Sequence, residues 1–317
     1  MIAELMSTID SHGDRGAVIP FFRVDDLKQD MLDLKNEGYH TDWLSRMVNH
    51  ITDDTNRFIP SEASFEPRSL IVVVIPSPMT ILPFGYHGKM VHCVVPPNYS
   101  NFYANNDRVE QYLNEFLAPL GFSAIKAVTL PHKLLAVHAG LGLYGRNNIC
   151  YSDDRGSHTH IMTYLSDLTC SDTIWLPLRR MEICEDCHAC VDACPTGAID
   201  SHRRLINSDR CITYANEISG ELPEWLNEDI HNSIIGCTRC QDCCPANMQN
   251  KDTVHMGVAF TEEETAEILS LADDGSYSDS LAAKIEATGL PPEYSSPKVL
   301  PRNLAALLRN IANQPNA

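Results

Sequence analysis

Two runs of cysteine carry the most specific chemistry in this sequence. Nine of the twelve cysteines fall between residues 184 and 244. The first run reads Cys184-x2-Cys187-x2-Cys190-x3-Cys194, with a proline directly after it. In bacterial ferredoxins this spacing supplies three thiolates to one [4Fe–4S] cluster and the fourth to its neighbour. The Cys-Pro ending and the interleaved fourth ligand favour iron–sulfur ligation over zinc binding.

The second run lacks one ligand of the standard repeat. It reads Cys237-x2-Cys240-x2-Cys243-Cys244 before another proline, and Ile234 stands where the first ligand is expected. A thiolate from elsewhere must therefore complete the second cluster.

Cys211 lies outside both runs and is the favoured substitute, while the alternative uses Cys243 and leaves Cys211 free. The alternative requires two adjacent residues to ligate from one turn. The predicted ligand sets are Cys184, Cys187, Cys190 and Cys244 for the first cluster, and Cys194, Cys211, Cys237 and Cys240 for the second. Two clusters so close in sequence predict electron transfer from a low-potential donor of the ferredoxin or flavodoxin type.

Composition limits the partners that we expect. The chain has 317 residues and a net charge of −18, which predicts that nucleic acid is an unlikely partner because phosphate contacts need clustered Lys and Arg. Its longest apolar run, Leu70–Ile75, is too short to cross a bilayer, and the N-terminus resembles no export signal. We therefore expect a cytoplasmic protein without membrane contact.

Hydrophobic periodicity predicts an α+β fold around these cysteines. Predicted helices cover parts of 20–51, where Trp43, Leu44 and Met47 stand at helical spacing, and Asp107–Leu117, His132–Ala139 and Pro301–Leu308. Predicted strands cover Leu70–Ile75, Phe122–Leu130 and Ile161–Leu165, and Thr261 to Glu264 predicts a capping box before the helical tail. Four segments follow: an N-terminal helical cap at 1–68, a cofactor-binding domain at 69–178, a ferredoxin-like double-cluster domain at 179–256 and a helical tail at 257–317.

A glycine segment precedes the cysteines. Gly140, Gly142 and Gly145 form G-x-G-x-x-G, but a helix rather than a strand comes before them, so a dinucleotide site is not favoured. The glycines either let the backbone approach a flat cofactor or make a tight turn. A purely structural loop is the competing interpretation.

These motifs together resemble the epoxyqueuosine reductase family over roughly residues 70–250. The resemblance lies in Ala139-Gly-Leu-Gly142, Gly145-Arg-Asn147, Ser166-Asp-Leu168, the first cysteine run with Thr196-Gly-Ala-Ile199, Arg210-Cys211-Ile-Thr-Tyr214 and the second cysteine run. The glycine segment is also similar to that of the reductive dehalogenases. The resemblance implies a nitroreductase-like domain that binds cobalamin, with flavin as a less favoured alternative, and it assigns Cys211 to the second cluster.

The sequence departs from that family in two places. No aspartate stands in Val128–Lys133, where the resemblance would place a proton donor, and the chain shows only the start of a helical repeat at Arg302–Leu308. With the acidic charge, these departures predict a cobalamin-dependent reductase of a small molecule. The alternatives are a true epoxyqueuosine (tRNA) reductase and a protein that only passes electrons to a partner's corrinoid or flavin.

The predicted site residues cluster around the glycine segment. The candidate catalytic residues are Arg146, Tyr144 and Lys133, with His132 as a further proton donor. The candidate cofactor contacts are Gly140, Gly142, Gly145, Asn147 and His158, the last on the same side as His160 if their segment is a strand.

Overall fold

The structure, a computed structural model, describes residues 1–36, 42–53, 58–171, 174–202, 205–250, 253–271 and 275–312. Contacts divide the chain into two units. Unit 1 comprises 1–76, 104–187 and 201–205, and unit 2 comprises 77–103, 188–200 and 206–317. This division is coarser than the four predicted segments, whose boundaries stay a prediction.

Unit 1 is built on a four-stranded antiparallel sheet. Its strands in chain order are β1 (Arg15–Pro20), β2 (Ser69–Pro76), β5 (Ala124–Lys126) and β8 (Thr159–Ser166), and their order across the sheet is β1-β2-β8-β5. Its helices are α1 (Ile2–Ser11), α2 (Val24–Asn36), α3 (Asp42–Thr52), most of α4 (Phe102–Leu117) and α5 (His132–His138). A short hairpin, β6 (Leu143–Tyr144) with β7 (Cys150–Tyr151), follows α5.

Both faces of this sheet are buried. Leu70 and Val72 on one face of β2 join the core that contains residues of α2 and α5, while Ile71 and Val73 on the other face join the core that contains residues of α1 and α4. Burial on both sides explains why β2 reads as a continuous β-branched run rather than an alternating one.

Unit 2 contains a second sheet and the cysteine-rich helices. Strands β3 (Met79–Tyr86) and β4 (Lys89–Val95) form a hairpin, and β9 (Val254–Met256) pairs parallel to β3. The helices are α6 (Ala189–Asp192), α7 (Ile212–Glu217), α8 (Arg239–Asp242), α9 (Glu262–Ser270), α10 (Asp279–Glu286), α11 (Pro292–Ser295) and α12 (Leu300–Ala312). The capping box predicted at Thr261 is present, because its hydroxyl accepts from the Glu264 amide while the Glu264 carboxylate accepts from the Thr261 amide.

Most predicted elements are found, but the strand predicted at Phe122–Leu130 shortens to Ala124–Lys126. The predictions contained neither β1, β9 nor the β3–β4 and β6–β7 hairpins. The helical residues predicted at Trp43, Leu44 and Met47 lie in α3, where their side chains are outside the described part of the structure. Among the described residues, no helix is long and apolar enough to cross a membrane.

Candidate functional site

The later parts of the two cysteine runs, 188–194 and 238–244, fold as copies of one small motif within unit 2. In the first, the carbonyl of His188 accepts from the amides of Val191 and Asp192 as α6 begins. In the second, the carbonyl of Thr238 accepts from the amides of Gln241 and Asp242 as α8 begins. Helix α6 contacts helix α8. The sequence repeat is therefore a structural repeat.

In this repeat Cys243 corresponds to a residue of the first run that is not a cysteine, and its being the spare cysteine stays a prediction. Cys244 occupies the place of Cys194, since each amide donates to the carbonyl three residues earlier at 3.2 Å. Cys243 then occupies the place of Ala193, and the two share backbone dihedrals close to −80° and −10°. The Cys243 thiol lies 3.7 Å from the Cys240 carbonyl of its own helix. A position held by alanine in the first copy needs no ligand in the second.

Three of the four thiols predicted for the second cluster, those of Cys194, Cys211 and Cys237, interact electrostatically within unit 2. Burial raises the pKa of Cys237 to about 12, with added contributions from Cys211 and Cys194. Burial also raises the pKa of Cys211, which Cys194 raises further. Their thiols are the type of ligand that iron–sulfur clusters use. The assignment of Cys211 to the second cluster stays a prediction.

The first cluster's predicted ligands are divided between the two units. Cys184 and Cys187 belong to unit 1, and Cys190 and Cys244 belong to unit 2. Among the described residues, no three His, Cys, Asp or Glu side chains are grouped so as to hold a single metal ion.

Buried amides hold the loop before Cys237. The Gly236 carbonyl accepts from the side chains of Asn216 and Ser233, each at 2.9 Å. Asn216 follows Cys211 on α7, so one side chain links the segments that carry two predicted ligands of the second cluster. From α12, Asn303 donates to the Asn216 carbonyl at 2.9 Å.

Tyr99 packs against the same loop. Gly236 has a left-handed φ of 67°, and a β-carbon there would lie 2.9 Å from the Tyr99 ring. The Tyr99 hydroxyl donates to Glu217 at 2.5 Å. Glycine is therefore required at 236 both for its backbone angle and for the close approach of the ring.

In unit 1 the glycine segment forms the β6–β7 hairpin. A β-carbon on Gly142 would lie 2.7 Å from the Cys150 sulfur, and one on Gly145 would lie 2.6 Å from the Tyr151 ring. The Asn147 side chain donates to the Tyr151 hydroxyl at 2.8 Å. These contacts favour the tight-turn interpretation of the glycines. Cofactor contact by Gly140, Gly142, Gly145 and Asn147 stays a prediction.

Arg146 is buried and holds the loop of the first two cysteines. Its guanidinium donates to the carbonyls of Cys184, Cys187 at 3.3 Å, Glu185 at 3.4 Å and Ser201 at 3.1 Å. The planar guanidinium presents several N–H donors at once and can bond to several carbonyls, whereas the single ammonium group of a lysine could not reach them all. The predicted charge-stabilising role of Arg146 stays a prediction; its observed contacts are to the backbone around two predicted iron ligands.

The remaining candidate residues differ in burial. Tyr144 is half-buried, and burial raises its pKa, as do nearby Cys150 and Asp30. Lys133 is exposed and donates to the Asn148 carbonyl at 3.0 Å. Catalytic roles for Tyr144 and Lys133 stay predictions.

His158 and His160 are buried, and His132 is half-buried. Strand β8 begins at Thr159, so His158 precedes it and the expected strand alternation applies only to His160. His160 lies 2.6 Å from the Asn106 side chain, and His132 lies 3.1 Å from the Thr163 hydroxyl. Burial lowers the pKa of His132 to about 4 and that of His160 to about 3. Both rings are therefore neutral at pH 7, and a cofactor role for His158 stays a prediction.

One polar group of unit 1 was missed by the sequence analysis. His138 on α5 contacts Asp30 on α2, with 2.8 Å between Nε2 and Oδ2. The two residues are 108 positions apart, and each lies on a helix with several buried apolar residues. The one sequence feature that could have predicted the contact is a titratable residue among the apolar residues of each helix.

Comparison with known proteins agrees with this geometry. Residues 183–247 match the family described as "4Fe-4S double cluster binding domain", so the chain carries a domain for two [4Fe–4S] clusters. An epoxyqueuosine reductase from Francisella cf. novicida is 30% identical over 234 residues, which cover 66% of this chain and 60% of that protein. The chain therefore aligns with only part of the length of these relatives. The aligned stretch covers 60% of the Francisella protein and 32% of an epoxyqueuosine reductase from Staphylococcus aureus.

Solved structures show a shared fold over nearly the whole chain. Epoxyqueuosine reductase from Streptococcus thermophilus matches with a TM-score of 0.67 at 17% identity, covering 98% of this chain and 82% of that one. An epoxyqueuosine reductase crystallised with an epoxyqueuosine-modified tRNA-Tyr stem loop matches with a TM-score of 0.65 at 17% identity, covering 97% and 80%. The resemblance predicted from the motifs is confirmed, and these relatives are oxidoreductases, in agreement with the predicted enzyme class.

One prediction requires correction. The net charge of −18 led us to expect that nucleic acid is an unlikely partner, yet one structure of the same fold holds a tRNA stem loop. Net charge is a property of the whole surface, whereas RNA binding depends on local grooves and base contacts. The charge argument therefore does not exclude RNA.

Proposed function

We propose that this chain is an iron–sulfur reductase of the epoxyqueuosine reductase type that removes the epoxide oxygen of epoxyqueuosine in tRNA. The observation that carries the proposal is the pair of copied cysteine motifs, completed by Cys211, in a chain with the fold of epoxyqueuosine reductases. This substrate replaces the small molecule expected from the sequence.

The chain's own residues would hold the electron path and the reductive site. When bound, the two clusters supply low-potential electrons one at a time. Cys194, Cys211 and Cys237 would hold the second cluster within unit 2, on a loop fixed by Asn216. In unit 1, Arg146 fixes the backbone around Cys184.

Tyr144 is the best-supported proton donor of the predicted set. It lies on β6, two residues before Arg146, which donates to the Cys184 carbonyl. The Met181 amide, just before Cys184 in the chain, donates to the Tyr144 carbonyl at 2.9 Å. Its raised pKa keeps the phenol protonated at neutral pH. Lys133, which reaches the same hairpin through Asn148, is the second choice.

The organic cofactor is supported less well. Cobalamin rests on the motif resemblance, with flavin as the alternative. The contacts of Gly142, Gly145 and Asn147 shown by the structure lie within their own hairpin.

A reductase of a small molecule is the second candidate. It is favoured by the charge of −18 and by the lack of an aspartate in Val128–Lys133. A protein that only carries electrons to a partner is the third candidate. The cobalt and flavin content of the purified protein distinguishes it from the two enzymes.

The test uses protein produced anaerobically with cobalamin supplied. Iron, cobalt and flavin are measured per chain, and the protein is then incubated with a low-potential ferredoxin and an epoxyqueuosine-containing tRNA stem loop. Conversion to queuosine, with about eight iron atoms per chain, supports the proposal. Cys93, a buried thiol of the β3–β4 hairpin, provides the control. Loss of conversion in Cys211→Ala but not in Cys93→Ala would show that the conversion depends on the clusters. Full cluster content with cobalt and no conversion favours the small-molecule reductase, and clusters alone favour the electron carrier.

A further inference from the structure

His138 has a proton acceptor at both ring nitrogens. Nδ1 lies 2.6 Å from the Leu176 carbonyl, and Nε2 lies 2.8 Å from Asp30 Oδ2. A carbonyl can only accept, so Nδ1 carries a hydrogen. The second contact needs one more proton, which resides either on Nε2 or on the Asp30 carboxyl group. In both arrangements the two side chains share one proton beyond that on Nδ1.

The pair is held in place and reaches solvent at one end. The Trp175 ring stacks on His138 with centroids 3.9 Å apart and planes within 6°, and Arg23 lies 5.3 Å over the Trp175 ring. Arg23 is itself paired with Asp26 at 2.6 Å. The His138 side chain is 3% exposed and that of Asp30 is 25% exposed. Protons can therefore enter from water through Asp30.

Tyr144 packs against the same core as the two helices that carry this pair, because that core contains residues of α2 and of α5. Burial raises the pKa of the Tyr144 phenol, and Cys150 and Asp30 raise it further. Within the described part of the chain, the Tyr144 hydroxyl makes no hydrogen bond. The phenol is thus a protonated group without a hydrogen-bond partner among the described residues, packed against the core that α2 and α5 share.

We propose that Asp30 and His138 form a proton-holding pair that resupplies Tyr144 during reduction. This step rests on the proposed function. Removal of the epoxide oxygen breaks two C–O bonds, forms a C=C bond, consumes two electrons from the low-potential donor and two protons, and releases water. Tyr144 gives its proton to the leaving oxygen, the pair returns a proton to the phenolate, and the pair is reloaded from solvent through Asp30. The second proton follows the same route.

The kinetic test compares carboxylates on one helix. Asp30→Asn and His138→Gln keep the size of each side chain but abolish the shared proton. General acid–base groups contribute about 10²–10⁴-fold, so we expect kcat to fall at least about 100-fold with KM and iron content unchanged, and the pH profile of kcat to change shape. Asp33→Asn is the matched control, since Asp33 lies on α2 and accepts from Gln29 at 2.8 Å. Wild-type kcat and pH profile in Asp30→Asn would overturn the proposal.

A spectroscopic test does not depend on turnover. The holoprotein with oxidised clusters is labelled with ¹⁵N-histidine and ¹³C-aspartate, and the His138 and Asp30 signals are assigned by loss in the two variants. At pH 7.5 we expect either two protonated ring nitrogens or one with a protonated carboxyl group. A singly protonated ring beside an ionised Asp30 overturns the proposal even if the variants fail to fold. If wild-type protein does not convert epoxyqueuosine, the proposed function fails, while this measurement still decides whether the pair holds a proton.

Discussion

Asn303 on α12 donates its side-chain amide to the backbone carbonyl of Asn216 at 2.9 Å, and both side chains are fully buried. Asn216 in turn donates to the Gly236 carbonyl at 2.9 Å, one residue before Cys237. The last helix of the chain is therefore joined by two hydrogen bonds to the loop that carries a predicted iron ligand. The segment that resembles the start of a helical repeat is part of the support for the second cluster.

Asn303→Ala is expected to weaken the second cluster more than the first. The substitution leaves a buried carbonyl with fewer partners, which costs about 1–3 kcal/mol, and it frees the α7 segment next to Cys211. Iron analysis and electron paramagnetic resonance of the reduced protein should show the loss of one cluster. Asn310→Ala is the matched control, because Asn310 lies on the same helix and donates to the more distant His231 carbonyl. Equal iron loss in both variants would assign the effect to general destabilisation.

Cys211 and Cys243 should respond oppositely to substitution. Cys211→Ala should lose one cluster, because its thiol lies with those of Cys194 and Cys237. Cys243→Ala should retain both clusters, because it restores the alanine found at the equivalent position 193. Iron content and the visible spectrum of anaerobically purified protein measure both outcomes. Iron loss in Cys243→Ala with none in Cys211→Ala would reverse the ligand assignment.

Arg146→Lys is expected to behave like Arg146→Met. Neither side chain can donate to four carbonyls around Cys184, so both variants should lose about 2–4 kcal/mol of unfolding free energy and release iron more readily. Anaerobic urea unfolding with iron analysis measures this. Arg155→Met is the control, since Arg155 is a half-buried arginine that pairs with Asp154 and donates to one carbonyl, that of Gly13, away from the cysteines. If Arg146→Lys keeps full stability and iron, the positive charge of residue 146 rather than its fork of donors holds the loop around Cys184.

The features that the sequence predicted share a local signal. The spacing of the cysteines from Cys184 to Cys194 is by itself typical of iron–sulfur ligation. The continuous β-branched run of β2 predicts a strand that is buried on both faces. The Thr261 capping box is equally local, because its two partners are three residues apart. Each of these depends on residues that are neighbours along the chain.

The features that were missed depend on distant partners. Strand β1 is a strand because Gly16 and Ala17 pair with Val73 and Val72, and β9 exists because it pairs with β3. The contact of Asp30 with His138 also joins two helices far apart in sequence. Periodicity within one segment carries no information about such pairings.

Acid is expected to destabilise unit 1 through His132 and His160. Burial lowers their folded pKa values to about 4 and about 3, whereas an unfolded histidine titrates near about 6.5. Below pH ~6.5 the unfolded chain binds more protons than the folded one, so stability is complete above that pH and falls as the pH is lowered. At pH 5.5 the loss should be about 1.4 kcal/mol per ring.

Urea unfolding of the anaerobic protein at pH 7.5 and pH 5.5 measures this loss. His132→Gln should roughly halve the difference between the two pH values, because it removes one of the two buried rings that the unfolded chain protonates. His92→Gln, which changes an exposed ring on β4 of unit 2, should leave the difference as in wild type. Equal stability of the wild-type protein at both pH values would mean that His132 and His160 are already protonated, or accessible to protons, in the folded state.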